Sequence, residues 1–328
     1  MTPMPNLSIE QALTADAEVF TGTDAGLRAE TVSSGASGRE FYRIFTAARS
    51  RILMAFPSEP WENQIFAEIG RALHTASLPV PQILASNPKQ GLVWLEDLGA
   101  IDLYSLRNDS GNRFSYYEKA ISVLNRIQRL SPGFFQENQA RTLTPFDLEL
   151  YAFEQRYFLE ELVRRLDPDR NPPPPYFEEM DRLTRQLSEG PQTWVHRDFQ
   201  SKNLMIDGND QIRIVDFQGI RQGNRYYDLA SLLCDPYANL PETERDNLFQ
   251  HYCKTQNLDP ELERQVFRST CCQRLMQALG AFGKLGLGRK IPFFRTPIPA
   301  ALQLLDSAAA EAHLPELRRT VQDLAHRV

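Results

Sequence analysis

The sequence is poor in cysteine, with only Cys234, Cys253, Cys271 and Cys272 in 328 residues. None forms a CxxC pair, and none stands at ligand spacing from any of the five histidines, which argues against a disulfide scaffold and a zinc motif. No apolar run approaches the ~20 residues a membrane helix needs. The opening Met1-Thr2-Pro3-Met4-Pro5-Asn6 has neither a basic n-region nor an apolar h-region, so a cytoplasmic protein with no membrane partner is expected. Basic residues are in the minority, 36 against 42 acidic, and are scattered instead of gathered into a stripe, which speaks against a nucleic-acid partner. There is no internal repeat.

What is present is ordinary globular material: 42% hydrophobic and 24% charged residues, in a chain long enough for two domains or lobes. The first ~100 residues carry short strand-like pieces at Phe41 to Phe45, Arg51 to Phe56 and Leu92 to Leu95, and one helix from Glu62 to Ala76 ended by Pro79 and Pro81. Beyond a connector near Glu96 to Leu103 the chain is mostly helical. Leu150, Phe153, Tyr157, Phe158, Leu162 and Leu166 recur at helical spacing and predict one amphipathic helix over 146–166. Pro172 to Pro175 is expected to be an exposed extended connector. The fold class is therefore α+β and bilobal, with a small sheet-containing lobe over 1–97 and a larger helical lobe over 98–328. A cleft between such lobes is a natural ligand site.

The segment richest in chemistry runs from Trp194-Val195-His196-Arg197-Asp198-Phe199-Gln200-Ser201-Lys202-Asn203 into Leu204-Met205-Ile206, then a polar Asp207-Gly208-Asn209-Asp210, then Ile212-Arg213-Ile214-Val215-Asp216-Phe217. Two apolar strands around Asp-Gly-Asn predict a hairpin. Folding it would bring Asn203 toward Asp216, since paired strands lie ~5 Å apart, with Asp198 a short loop away. An amide oxygen and a carboxylate are hard donors of the kind Mg²⁺ prefers.

These residues resemble the catalytic and metal loops of the protein-kinase-like fold, and more closely the aminoglycoside phosphotransferase-like small-molecule kinases. The resemblance implies ATP and Mg²⁺ as cofactors. It makes Asp198 the group that takes or orients the acceptor hydroxyl proton, and Asn203 and Asp216 the metal ligands. Asp228, in Gly223-Asn224-Arg225-Tyr226-Tyr227-Asp228-Leu229-Ala230, would brace the catalytic loop, and His196 would be a buttress. The turn Ser33 to Arg43 is similar to the phosphate-covering turn, implicating Ser34, Gly35, Ser37, Arg39 and Arg43, while Glu96 and Asp97 fall at the hinge that meets adenine. The strand Ile52 to Phe56 departs from the family: it lacks the phosphate-binding lysine, so Arg39 and Arg43 are its candidate replacements and Glu68 would lack its usual partner.

Within that family the chain is most similar to bacterial cell-wall-recycling kinases that phosphorylate the anomeric hydroxyl of N-acetylmuramate and N-acetylglucosamine. The matching features are Ser-Ser-x-Ala-Ser-x-Arg at 33–39, Glu62-Asn63, Asp216-Phe217-Gln218, Asp235-Pro236-Tyr237 and Ala278-Leu279-Gly280-Ala281-Phe282. The acceptor would be a small molecule met by Gln200, Gln218, Arg221 and Asp235, with Tyr237, Trp61 and Glu62 nearby and the Lys284 to Arg295 segment able to cap it or bind a carboxylate. Other acceptors of the same fold, an aminoglycoside, choline, homoserine or a fructosamine, and a nucleotide-binding pseudokinase remain alternative readings. Only eleven residues separate Asp216 from Asp228, too few for a peptide-docking activation segment. A monomer or weak homodimer is expected.

Overall fold

The computed structural model describes residues 8–20, 27–34, 38–46 and 49–327. The chain divides into two compact units: 1–101 with 133–143 and 205–219, and 102–132 with 144–204 and 220–328.

The first unit is built on a five-stranded antiparallel sheet in the order β1-β2-β3-β5-β4, with β1 Arg28–Ser34, β2 Glu40–Phe45, β3 Ser50–Ala55, β4 Ile83–Asn87 and β5 Leu92–Glu96. The three strand pieces legible in the sequence are β2, β3 and β5; β1 was implied only as the strand that leads into the phosphate-covering turn, and β4 was not foreseen. Tyr42, Ile44, Leu53, Ala55, Leu92 and Trp94 alternate onto one face and are buried there with Ala12. Ala12 belongs to the helix Ile9–Val19, whose start is fixed by a capping box of Ser8 and Gln11. That helix is tied to β3 by a buried pair in which the Arg51 guanidinium donates to both carboxylate oxygens of Asp16.

The expected 62–76 helix is a 3-10 turn, Trp61–Asn63, followed by the helix Phe66–Thr75. Gly70 lets that helix approach closely, because a Cβ there would stand 2.9 Å from Ile83 Cδ1 and 3.0 Å from Phe217. The expected hairpin forms as β7 Leu204–Ile206 and β8 Ile212–Ile214.

The second unit is helical apart from β6 Gln192–Val195, paired antiparallel with β9 Arg221–Asn224. Its centre is the helix Pro260–Phe282, buried almost continuously from Phe267 onward and packed against the helices Leu148–Phe158, Tyr227–Leu233 and Ile298–Glu311. The single helix expected over 146–166 is interrupted. Asp147 caps its start, and a π turn at Leu159–Val163 separates Leu148–Phe158 from Arg164–Leu166. The proline run is also corrected: Pro172 is buried, and Pro174 and Pro175 open the helix Pro174–Glu189, since the first turn needs no intrahelical N–H donor. Among the described residues no helix is long and apolar enough to cross a membrane.

Candidate active site

The loop that follows β6 is held by two buried carboxylates from the same stretch of chain. Asp228, in the first turn of Tyr227–Leu233 and fully buried, accepts the backbone N–H of His196 at 2.6 Å and of Arg197 at 2.8 Å. This fixes Arg197 in a left-handed conformation, φ 80°, which turns the chain sharply into Asp198. Burial pushes the Asp228 carboxyl up to about 7 against the two N–H donors, which favour its charged form. Seven residues on, Asp235 accepts from the Ser201 N–H at 3.0 Å, the Ser201 hydroxyl at 2.5 Å and the Tyr237 N–H at 2.9 Å. The Asn203 side-chain amide donates to the Asp198 carbonyl at 2.9 Å, which leaves its Oδ1 available as a hard acceptor.

Asp198 keeps 35% of its side-chain surface exposed, and its Oδ1 receives Arg274 Nη2 at 3.2 Å. Desolvation pushes this carboxyl up, but Arg274 and then Arg197, His196 and Arg221 outweigh it and hold the group below its ordinary value. Asp198 is thus an ionised carboxylate at neutral pH. Its partner Arg274 lines a small cleft together with Gln200, Ser231, Asp235 and Ala278. Two of the expected acceptor residues, Gln200 and Asp235, therefore share this cleft, although one Asp235 oxygen is engaged by Ser201 of the loop and the other by the Tyr237 N–H. Arg221 is buried on β9 with its guanidinium 5.4 Å from the Phe146 ring.

Sequence reasoning missed Arg274 and a second buried group, Glu154. Glu154 accepts from the Tyr227 hydroxyl at 2.9 Å and from Gln273 at 3.1 Å, with Arg197 3.9 Å away, and burial pushes its carboxyl up. The available signal was Gln273-Arg274 standing between Cys271-Cys272 and Leu275-Met276, polar groups in an otherwise apolar helix.

The remaining expected residues lie in the first unit. Arg39 is buried and its guanidinium stands 2.5 Å from Asp216 Oδ1. Gln218 also donates to that oxygen, at 3.2 Å. Asp216 adopts a left-handed φ of 65°, and the next residue, Phe217, stacks on Phe66 at 4.5 Å. Arg43 binds Asp97 through two nitrogens at 2.7 and 3.2 Å and the Gly99 carbonyl at 2.9 Å. Desolvation raises the Asp97 carboxyl, but Arg43, with further hydrogen bonds, holds it low. Glu96 is paired with Arg213 at 2.7 Å, and Glu68, with no lysine opposite, is paired with Arg141 at 2.6 Å. Trp61 is 42% exposed beside Glu62 in the 3-10 turn. Gly35, Ser37 and the side chain of Ser34 lie outside the described residues.

The two expected metal ligands belong to different units, Asn203 to the second and Asp216 to the first. Their chemistry suits Mg²⁺: one carboxylate already attracting a cation, Arg39, and one amide whose oxygen is turned free by its own N–H bond. Among the described residues no group of three His, Cys, Asp or Glu side chains forms a metal cluster.

A five-stranded antiparallel unit, a helical unit and an Asp loop braced by buried carboxylates define the protein-kinase-like class of phosphotransferases. Residues 28–266 match the phosphotransferase enzyme family, APH, and the chain belongs to that family. The chain is similar to an N-acetylmuramate/N-acetylglucosamine kinase of Pseudomonas aeruginosa, 26% identical over 305 residues, covering 89% of this chain and 86% of the relative. It is also similar to a protein of the same name from Caulobacter vibrioides, 28% identical, covering 75% and 70%. Among solved structures, a choline/ethanolamine kinase family protein from Mesorhizobium loti aligns with TM-score 0.61 at 15% identity, over 97% of this chain and 100% of that one. An aminoglycoside-3'-phosphotransferase of type VIII aligns with TM-score 0.55 at 16% identity, over 81% and 98%. These structures share the fold. The chain is a phosphotransferase.

Proposed function

We propose that this phosphotransferase is an ATP- and Mg²⁺-dependent kinase of a small sugar, transferring the γ-phosphoryl group to the anomeric hydroxyl of an N-acetylated amino sugar to give a sugar 1-phosphate. The observation that carries the reading is the Asp198 carboxylate, ionised by Arg274, part-exposed and held on a loop fixed by Asp228 and Asp235. The names of the curated relatives support the acceptor class.

Phosphoryl transfer asks the protein chiefly for positioning and charge stabilisation. Asp198 orients the acceptor hydroxyl and takes up its proton; an anomeric hydroxyl is more acidic than an ordinary alcohol, so a carboxylate of depressed pKa is a sufficient partner. Asp228 and Asp235 keep the loop in shape, and Arg274 keeps Asp198 charged and aimed. Gln200, with Gln218 and Arg221, would share hydrogen bonds with sugar hydroxyls. Asn203 and Asp216 would hold Mg²⁺, which when bound screens the charge of the phosphates. Arg39 would stand in for the missing lysine.

Phosphorus NMR of the protein with Mg²⁺-ATP and N-acetylmuramate or N-acetylglucosamine tests this. A sugar 1-phosphate resonance that is absent with Asp198→Asn is the expected result. A 6-phosphate would overturn the anomeric assignment, and phosphorylation of choline or kanamycin alone would overturn the sugar.

A further inference from the structure

Lys202 sits in the catalytic loop between Ser201 and Asn203, with its ammonium over three aromatic rings: 4.4 Å from the centre of Tyr104, 4.8 Å from Tyr237 and 4.2 Å from Phe293. The rings come from three separated stretches of the second unit: a 3-10 turn, the residue after Asp235-Pro236, and the short helix Pro292–Arg295. They form a wall of their own, Tyr237 stacked on Phe293 at 5.7 Å and edge-on to Tyr104 at 6.4 Å. Attraction between a cation and a ring face acts on the charge and consumes no N–H. The ammonium carries three donors, and among the described residues none meets a hydrogen-bond acceptor and the group joins no ion pair.

The surrounding charges are otherwise answered. Asp198 is paired with Arg274, and Asp235 is occupied by Ser201 and Tyr237. Lys202 is thus a half-buried cation whose N–H donors are unmet, in the loop whose Gln200 lines the cleft and in a ring-lined setting suited to an organic guest with C–H surface.

Resting on the amino-sugar kinase reading, we propose that Lys202 binds a carboxylate carried by the acceptor, with Tyr104, Tyr237 and Phe293 as the apolar wall around it, and so sets the preference between carboxylate-bearing and neutral amino sugars. N-acetylmuramate and N-acetylglucosamine differ by one lactyl ether, so they isolate that carboxylate.

The readout is the ratio of kcat/KM for N-acetylmuramate to that for N-acetylglucosamine. In Lys202→Gln this ratio falls by about tenfold or more, the scale of one charge-assisted hydrogen bond, and Lys202→Arg retains part of it. An unchanged ratio, or a rise confined to the KM for ATP, overturns the proposal. If the unaltered protein phosphorylates neither sugar, the amino-sugar reading fails, and the site is judged by NMR of the ¹³C-methylated lysines. Movement of the Lys202 signal with N-acetylmuramate and lactate but not N-acetylglucosamine supports a carboxylate site. No movement, or equal movement with the neutral sugar, overturns it.

Discussion

Arg274 donates to Asp198 at 3.2 Å while its other nitrogens are held by Ser231 at 3.1 Å and Gln277 at 2.6 Å, so the guanidinium is fixed before it meets the carboxylate. A charge fixed in this way acts on Asp198 without first paying for its own orientation. Arg274→Met therefore raises the Asp198 pKa and moves the acid limb of the kcat/KM profile to higher pH. The turnover lost at neutral pH is smaller than the ~10²–10⁴-fold lost in Asp198→Asn. An acid limb that stays in place in Arg274→Met would show that the pair does not tune the carboxylate.

Asp228 couples the same loop to pH in the opposite direction. Its folded-state carboxyl is raised to about 7 from 3.8, so between those values the folded chain holds a proton that the unfolded chain releases. Stability from this group is complete below about 3.8 and is lost as pH rises toward 7, at up to about 1.4 kcal/mol per pH unit. Asp228→Asn removes that slope. It also sets an NH₂ against one of two backbone donors, at a cost of about 1–3 kcal/mol and with a fall in kcat. Urea denaturation at several pH values measures both effects.

Arg39, just before β2, and Arg43, within it, separate under nucleotide titration. Arg43 is spent on Asp97, so Arg43→Met costs stability, on the order of 3 kcal/mol, because it strands a mostly buried carboxylate. Arg39 touches Asp216, the expected metal ligand, so Arg39→Met raises the KM for Mg²⁺-ATP about tenfold or more, the loss of a charged phosphate contact. Equal effects of the two substitutions on KM would remove Arg39 as the lysine substitute.

Gly283 opens the π turn Gly283–Gly288, where an added Cβ would meet the Glu161 carbonyl oxygen at 2.1 Å. The neighbour is backbone of the other π turn and cannot rotate away, so Gly283→Ala destabilises the chain by about 1–3 kcal/mol or more. Gly208→Ala, at a hairpin position with nothing within 4 Å of the added carbon, leaves the melting temperature nearly unchanged.

The loop from His196 to Asn203 and the hairpin after it were legible because each is local, a few neighbouring residues with a turn between them, whereas the Asp228 brace, some thirty residues away, came from the family resemblance. Arg274 and Glu154 were not, since the polar pair Gln273-Arg274 among Cys271-Cys272 and Leu275-Met276 marks a buried position without naming the distant partner that answers it, and Glu154 carries no such mark. Asp235 was read as an acceptor contact; it lines the cleft beside Gln200, and its hydrogen bonds go to Ser201 and Tyr237. β1 shows no strand pattern of its own because Arg28, Glu30 and Ser34 give it little apolar alternation. The two π turns carry no periodicity of their own.

The first unit is not finished by its own N-terminal run of sequence. Phe217 stacks on Phe66, Ile206 donates to the Ile101 carbonyl, Ile214 to that of Pro79, and Arg213 pairs with Glu96. On the ribosome, strands β1 to β5 emerge before any of these groups exist. At synthesis rates of ~5–20 residues per second, they wait roughly 6–25 s for residue 219 to be added. During synthesis this sheet is an open half-structure with Phe66 uncovered, and a nascent chain stalled or cut before residue 219 is a substrate for chaperones and proteases.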